Sequence, residues 1–164
     1  MSLSKRLSLL IILLFTLVFI GTLSISISNT KNYLNQQLQI SSQNTATSLG
    51  KLAADALAQK DLAKLQTLVD ANFDPGFYRS IRVRDVNGVT LVVREVARVH
   101  IKNVPEWFVN TLVLKAPEGQ QEIISAQFNQ LGMLTVSAHP GLAYKELWDT
   151  FIDNVWWLSF VALV

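Results

Sequence analysis

The fold class this sequence predicts is α+β: an antiparallel sheet flanked by helices and held between two membrane-spanning helices. Three observations predict it. Leu7–Ile27 (LSLLIILLFTLVFIGTLSISI) carries no charged residue. At Tyr78 the hydrophobic period drops from three-to-four to two. From Asn154 the chain turns apolar again as NVWWLSFVALV.

The first run is long enough to span, since about 20 residues at about 1.5 Å each cross a hydrocarbon core about 30 Å thick. Lys5 and Arg6 precede it and Ser28-Asn29-Thr30-Lys31 follow it. Positive-inside bias therefore leaves residues 1–6 in the cytoplasm and carries the next segment across. A cleavable signal peptide has a shorter apolar region, about 7–15 residues, and a small-x-small site. Ser24-Ile25-Ser26 followed by Ile27 matches that site weakly, so the expectation is an uncleaved anchor over 7–27. At the other end a Trp pair suits the membrane interface. Residues 150–164 are read as the start of a second transmembrane helix, with a cytoplasmic remainder expected after it. The alternative is a short buried helix.

Residues 28–149 lie between these runs, enough for one compact domain and too few for two. With Lys5, Arg6 and Asp153 set aside, that segment holds 12 Lys/Arg against 11 Asp/Glu. Such a balance makes no electrostatic case for nucleic acid. No Cys is present, so disulfides, thiol chemistry and Cys-metal sites are excluded together.

Asn29–Ala58 continues from the membrane as one helix, with Leu34, Leu38, Ser41/Ser42, Thr45, Leu49, Leu52 and Ala56 spaced by three and four. Its narrow stripe, rich in small residues such as Ala46, Ala53 and Ala54, suits a stalk packed on a partner helix. Asp61 is placed to cap a second helix over Leu62–Ala71, which Pro75 and Gly76 end. Tyr78–Arg84 reads as a strand with Ile81 and Val83 on one face. Asp85-Val86-Asn87-Gly88 is a hairpin signal, and Val89–Glu95 returns with Val89, Leu91 and Val93 on one face. Val96–Val104 reads as a third extended piece. Pro105–Asn110 reads as a short helix with Pro at its first position, and Leu112–Leu114 stays ambiguous. Pro117-Glu118-Gly119 reads as a turn before strand Gln121–Phe128. The turn Asn129-Gln130-Leu131-Gly132 and strand Met133–His139 follow. Pro140-Gly141 breaks that strand and a helix runs from Leu142 onward. Helix, helix, hairpin, short helix, hairpin, helix is an order of the PAS- or CACHE-like kind.

Chemistry-bearing motifs are scarce. Neither His100 nor His139 has a partner at metal-ligand spacing, and both are read as structural or surface residues. There is no Gly-x-Ser-x-Gly, phosphate loop, calcium loop or carboxylate pair, so the expectation is a non-enzymatic domain without cofactor or metal. Arg79, Arg82, Arg84, Arg94, Arg98 and Lys102 form the densest positive run. They read either as an anion site or, more plainly, as the solvated face of a hairpin. Trp107 and Phe108 read as core residues of a short helix, with an exposed docking pair as the alternative. Phe128 abuts a turn between two strands, where a large apolar side chain is available as an anchor. Spacing alone equally allows it to be core.

The run Phe73-Asp74-Pro75-Gly76-Phe77-Tyr78-Arg79-Ser80-Ile81-Arg82-Val83-Arg84-Asp85 resembles the periplasmic domain of the LapD/MoxY family. So do Val104-Pro105-Glu106-Trp107-Phe108 and Ser137-Ala138-His139-Pro140-Gly141-Leu142-Ala143-Tyr144-Lys145-Glu146-Leu147-Trp148. The three motifs in this order extend the resemblance over nearly the whole chain. It implies a bacterial inner-membrane receptor with residues 28–149 in the periplasm, working as an intertwined homodimer. In LapD-like proteins a HAMP relay and degenerate GGDEF and EAL domains follow in the cytoplasm, and the EAL domain binds cyclic di-GMP. The periplasmic dimer then captures a LapG-type cysteine protease, which protects a surface adhesin and controls biofilm formation. The family's docking Trp aligns with Phe128, so the resemblance implies partner contacts at Phe128, Asn129, Gln130, Leu131 and Gly132. A signal relay through Pro140, Gly141, Tyr144 and Trp148 fits the same scheme. An input sensor of a histidine kinase or of an active cyclic di-GMP enzyme, with a small ligand near the Arg-rich strands, is the other class. A dimerising spacer is a third.

Overall fold

A computed structural model describes residues 3–96, 101, 103–114 and 117–163. One helix, α1 (Leu3–Ala58), runs without a break from the apolar segment into the domain, about 84 Å at 1.5 Å per residue. Among the described residues it is the one helix long and apolar enough to cross a membrane. A helix α2 (Leu62–Asn72) follows after a tight reversal. Asp61 N–H donates to Ala56 C=O and Lys60 N–H to Leu57 C=O, with Lys60 at φ 54°. This is the paired closing bond of a helix end whose left-handed residue is usually Gly. The expected cap is present: the Asp61 carboxylate accepts the Lys64 N–H at 2.9 Å.

The sheet has four antiparallel strands, β1 (Tyr78–Asp85), β2 (Thr90–Glu95), β3 (Glu118–Ile124) and β4 (Gln130–Ala138), in the order β2-β1-β4-β3. A short helix α3 (Glu106–Thr111) lies between β2 and β3, and α4 (Gly141–Leu163) follows β4. Helices pack on the sheet as expected, α1 and α2 on the same face. One face receives α1 and α2, and Ile81, Val83, Val92, Ile123, Leu134 and Val136 pack there against Ala46, Leu49, Ala53, Leu65 and Val69. Each such burial of a Val, Leu or Ile stabilises by about 1.5–3 kcal/mol. The opposite face carries Arg82 level with Val93 and Thr135, and Arg84 level with Met133.

Several expectations change in detail. Val92, not Leu91 and Val93, is the buried residue of β2. Val83 pairs with Val92 but Arg84 with Thr90, so Leu91 is the extra residue of a bulge in β2 and the phase of that strand inverts there. Pro105 is the cap of α3 rather than its first residue. Pro117-Glu118-Gly119 is not a turn, since β3 already includes Glu118 and Gly119. A Cβ on Gly119 would sit 2.2 Å from the Ser42 carbonyl oxygen, so that glycine serves close approach of β3 to α1. The small residues of α1 do the same from the other side: Ser42, Ala46 and Ala53 are buried against β3 and β4, while Leu52 is exposed. Within this chain, then, the small-residue stripe packs on the sheet rather than on a partner helix. Of the extended piece expected over 96–104, residues 97–100 and 102 lie outside the described residues. Ile101, Asn103 and Val104 are not in the sheet.

Amide side chains of α1 also finish the outer edge of β3. Gln43 donates through Nε2 to the Gln120 carbonyl at 2.8 Å and accepts the Gln120 N–H at 3.2 Å. Gln39 donates to the Glu118 carbonyl at 3.3 Å. The match is geometric, because four helical residues rise about 6 Å and two strand residues about 6.6 Å.

A second, separate core forms beside the middle of α1. Leu34, Val104, Phe108, Leu114, Ala143, Tyr144 and Leu147 meet there, joining α1, α3 and α4. Below it Asn154 Nδ2 donates to Ser26 Oγ at 3.0 Å, tying α4 to the apolar segment of α1.

Candidate functional site

Both hairpin turns lie at the end of the sheet remote from the apolar half of α1. Asp85 pairs with Gly132 there, and Gly132 pairs in turn with Ile123. The two turns share one backbone design. In the first, Gly88 N–H donates to Asp85 C=O at 3.1 Å and Asp85 N–H to Val89 C=O at 2.9 Å. In the second, Phe128 N–H donates to Ser125 C=O at 2.9 Å and Ser125 N–H to Asn129 C=O at 2.8 Å. Each opens with a polar side chain that accepts a turn N–H: Asp85 Oδ1 takes those of Asn87 and Val89, and Ser125 Oγ takes that of Asn129. Each needs a left-handed residue at its fourth position. In the first turn this is Gly88, at φ 81°; in the second it is Phe128, at φ 63°.

A side chain at that φ costs about 1–2 kcal/mol. Phe128 is also 90% exposed, more than any other large apolar residue described. Neither property helps the fold. A strained backbone presenting a bare aromatic ring at a loop tip points to a contact made with something else.

The structure separates the five residues expected around this contact. Phe128 and Asn129 are in the turn, which runs over Ser125–Asn129, four residues earlier than expected. Gln130 opens β4 and is exposed. Leu131 packs against the sheet core. Gly132 is inside the sheet, where a Cβ would lie 2.2 Å from the Arg84 carbonyl oxygen.

The expected relay residues do converge. Pro140 is buried at the end of β4, and its carbonyl accepts the Tyr144 N–H at 3.0 Å. The Tyr144 hydroxyl accepts the buried Leu114 N–H at 2.9 Å. Trp148 stacks on Phe151 and meets Phe108 edge-on at 5.0 Å between centroids. Phe108 is thus core, as expected, but its neighbour Trp107 is 56% exposed. His139, read as a structural or surface residue, lies just ahead of α4 and bonds its first N–H. Its Nδ1 accepts the Gly141 N–H at 3.0 Å, which requires an unprotonated ring. Burial, and then the Arg79 guanidinium, lower its pKa from 6.5. His139 stands directly before Pro140-Gly141, so its ring reaches the N–H two residues on.

The arginines do not form one site. Arg94 grips Asp70 of α2 through two bonds on the helix-covered side, whereas Arg82 lies 3.7 Å from Glu95 on the open face. Arg98, Lys102 and His100 lie outside the described residues. Among the described residues no group of three or more His, Asp or Glu is placed to hold a metal. A cleft of about 250 Å³ between α1, α2 and β1 is lined by Asn44, Thr45, Ser48, Leu49, Leu52, Asn72 and Tyr78, with no arginine among them.

A family model described as the LapD/MoxY periplasmic domain matches residues 23–148. Among solved structures the chain is similar to the Pseudomonas fluorescence LapD periplasmic domain. The two share 30% identity over 78% of this chain and 98% of that one, with a TM-score of 0.41. No curated protein matches the chain.

Proposed function

The chain belongs to the LapD/MoxY periplasmic-domain family, and from that premise we propose that it is the periplasmic output part of an inner-membrane cyclic di-GMP receptor. A homodimer holds residues 28–149 in the periplasm and captures a LapG-type cysteine protease at the tip of the second hairpin. Phe128 is the anchor, with Asn129 and Gln130 at its rim. The nucleotide binds an EAL domain of a cytoplasmic part that also carries HAMP and GGDEF segments, and α4 passes the change to the sheet.

The observation that supports this reading is Phe128 itself, left-handed in a position its twin turn gives to Gly and almost wholly exposed. The path from α4 is short. Only His139 and Pro140 separate α4 from β4, a central strand that leads straight to the Phe128 turn. A displaced α4 therefore moves the strand that carries the anchor.

The test is capture from periplasmic extract by the chain in nanodiscs, with Phe128→Glu beside it. The unaltered chain retains a cysteine protease and Phe128→Glu loses at least 100-fold in affinity with the domain still folded, as expected for a central aromatic anchor worth about 3 kcal/mol. Undiminished binding by Phe128→Glu removes the anchor assignment. The cleft beside Tyr78 favours a second reading, a sensor for a small uncharged ligand. That reading gains if a folded dimer retains no protein partner.

A further inference from the structure

Trp107 occupies an unusual place. Its ring meets Trp148 at 5.9 Å and Phe151 at 6.3 Å between centroids, both edge-on, yet more than half of its surface is free. Its height above the apolar segment is set by α4. Asn154 is bonded to Ser26, inside the apolar run of α1. Phe151 and Trp148 lie three and six residues back along α4, about 4.5 and 9 Å from that level. The headgroup layer on each side of a bilayer is about 5–8 Å deep. Trp is the side chain that settles in this layer, its ring apolar and its N–H wet.

We infer that α3 rests on the membrane and that Trp107 lies among the lipid headgroups of the outward-facing leaflet. The inference rests on the reading that Leu7–Ile27 spans the bilayer. The partner is the lipid surface rather than a protein, because the two helices that continue beyond Trp107 are ringed with bare apolar residues: Ile25 on α1 and Trp156, Trp157 and Phe160 on α4 are all well exposed. The bond from Leu114 N–H to the Tyr144 hydroxyl and the Phe108–Trp148 contact anchor this contact to α4. A segment seated on the lipid would give α4 a fixed base against which to shift.

The experiment uses the whole chain in phosphatidylcholine vesicles carrying brominated lipids. Trp148, Trp156 and Trp157 are replaced by Phe, leaving Trp107 the sole indole; a companion keeps only Trp156. Bromines near the glycerol end should quench Trp107 at least twofold more than bromines deep in the chain. Trp156 should also be quenched. A quenched Trp156 beside an unquenched Trp107 overturns the inference and leaves the span intact. No quenching at either overturns both together. A nitroxide on Asn110→Cys, one turn from Trp107, reads the same depth with all four Trp in place: twofold better access to oxygen than to a water-soluble nickel complex is expected, and the reverse overturns the inference. Quenching of Trp107 that is lost on dimer formation in the same vesicles assigns the ring to a second copy instead, and that too overturns it.

Discussion

The turns Asp85–Val89 and Ser125–Asn129 hold the same backbone bonds at the same end of the same sheet, yet one places Gly and the other Phe at the left-handed position. The first turn is solved for folding: two N–H groups on a carboxylate and a residue without Cβ where φ is positive. The second is solved less well for folding. It keeps one side-chain bond and a strained aromatic whose ring touches little of the domain. The neighbouring hairpin shows how the same turn closes with Gly at the left-handed position, so the strain at Phe128 is not demanded by the turn geometry.

The sharpest way to break the comparison is at the sheet residue between the hairpins. Gly132→Ala drives a methyl into the Arg84 carbonyl, and a loss of about 3 kcal/mol is expected, read as a fall in the denaturant midpoint. A loss below about 1 kcal/mol would mean the hairpins part easily. Next come the turns themselves. Asp85→Ala removes the acceptor of two N–H groups and should destabilise by about 1–2 kcal/mol. Phe128→Asn should instead stabilise by about 0.5–1 kcal/mol, because Asn tolerates the left-handed region. The same replacement should abolish partner capture, and a destabilised Phe128→Asn would show that the ring serves the fold after all.

The smallest effect lies at the other end. Because the folded state lowers the pKa of His139, the unfolded chain takes up the proton first as pH falls. Stability is therefore full above pH 6.5, the ordinary value, and declines below it. His139→Asn, which keeps an acceptor for Gly141 N–H without titrating, should remove that part of the slope and leave the Phe128 turn unchanged.

Local chemistry was legible where one residue type performs one task. Asp61 capped its helix, Asp85–Gly88 closed its hairpin, and the alternation of Ile81 and Val83 marked the buried face of β1. Long-range packing was not. Gly119 looked like a turn residue because Gly commonly is; its use is a close approach to Ser42, 77 residues earlier, which no local pattern encodes. The bulge at Val83/Arg84 inverted β2 and left Val92 inside. Phe128 was the harder case, since a positive φ is announced in a sequence by Gly or Asn, and Asn129 stood next door. What was legible of the site was an aromatic beside a turn, and the strain that singles it out needed the backbone.

The glutamines at 39 and 43 have one further consequence. An unpaired strand edge offers its N–H and C=O groups to any extended chain that passes, whether a partner's strand or a misfolded neighbour. By occupying the outward groups of Glu118 and Gln120 with amides of its own helix, the domain withdraws β3 from that traffic. The far edge is guarded as well, since Arg94 on β2 donates to the Val93 carbonyl while it holds Asp70. With amides on β3 and a guanidinium on β2 holding these edge groups, pairing of a further strand at either rim is discouraged.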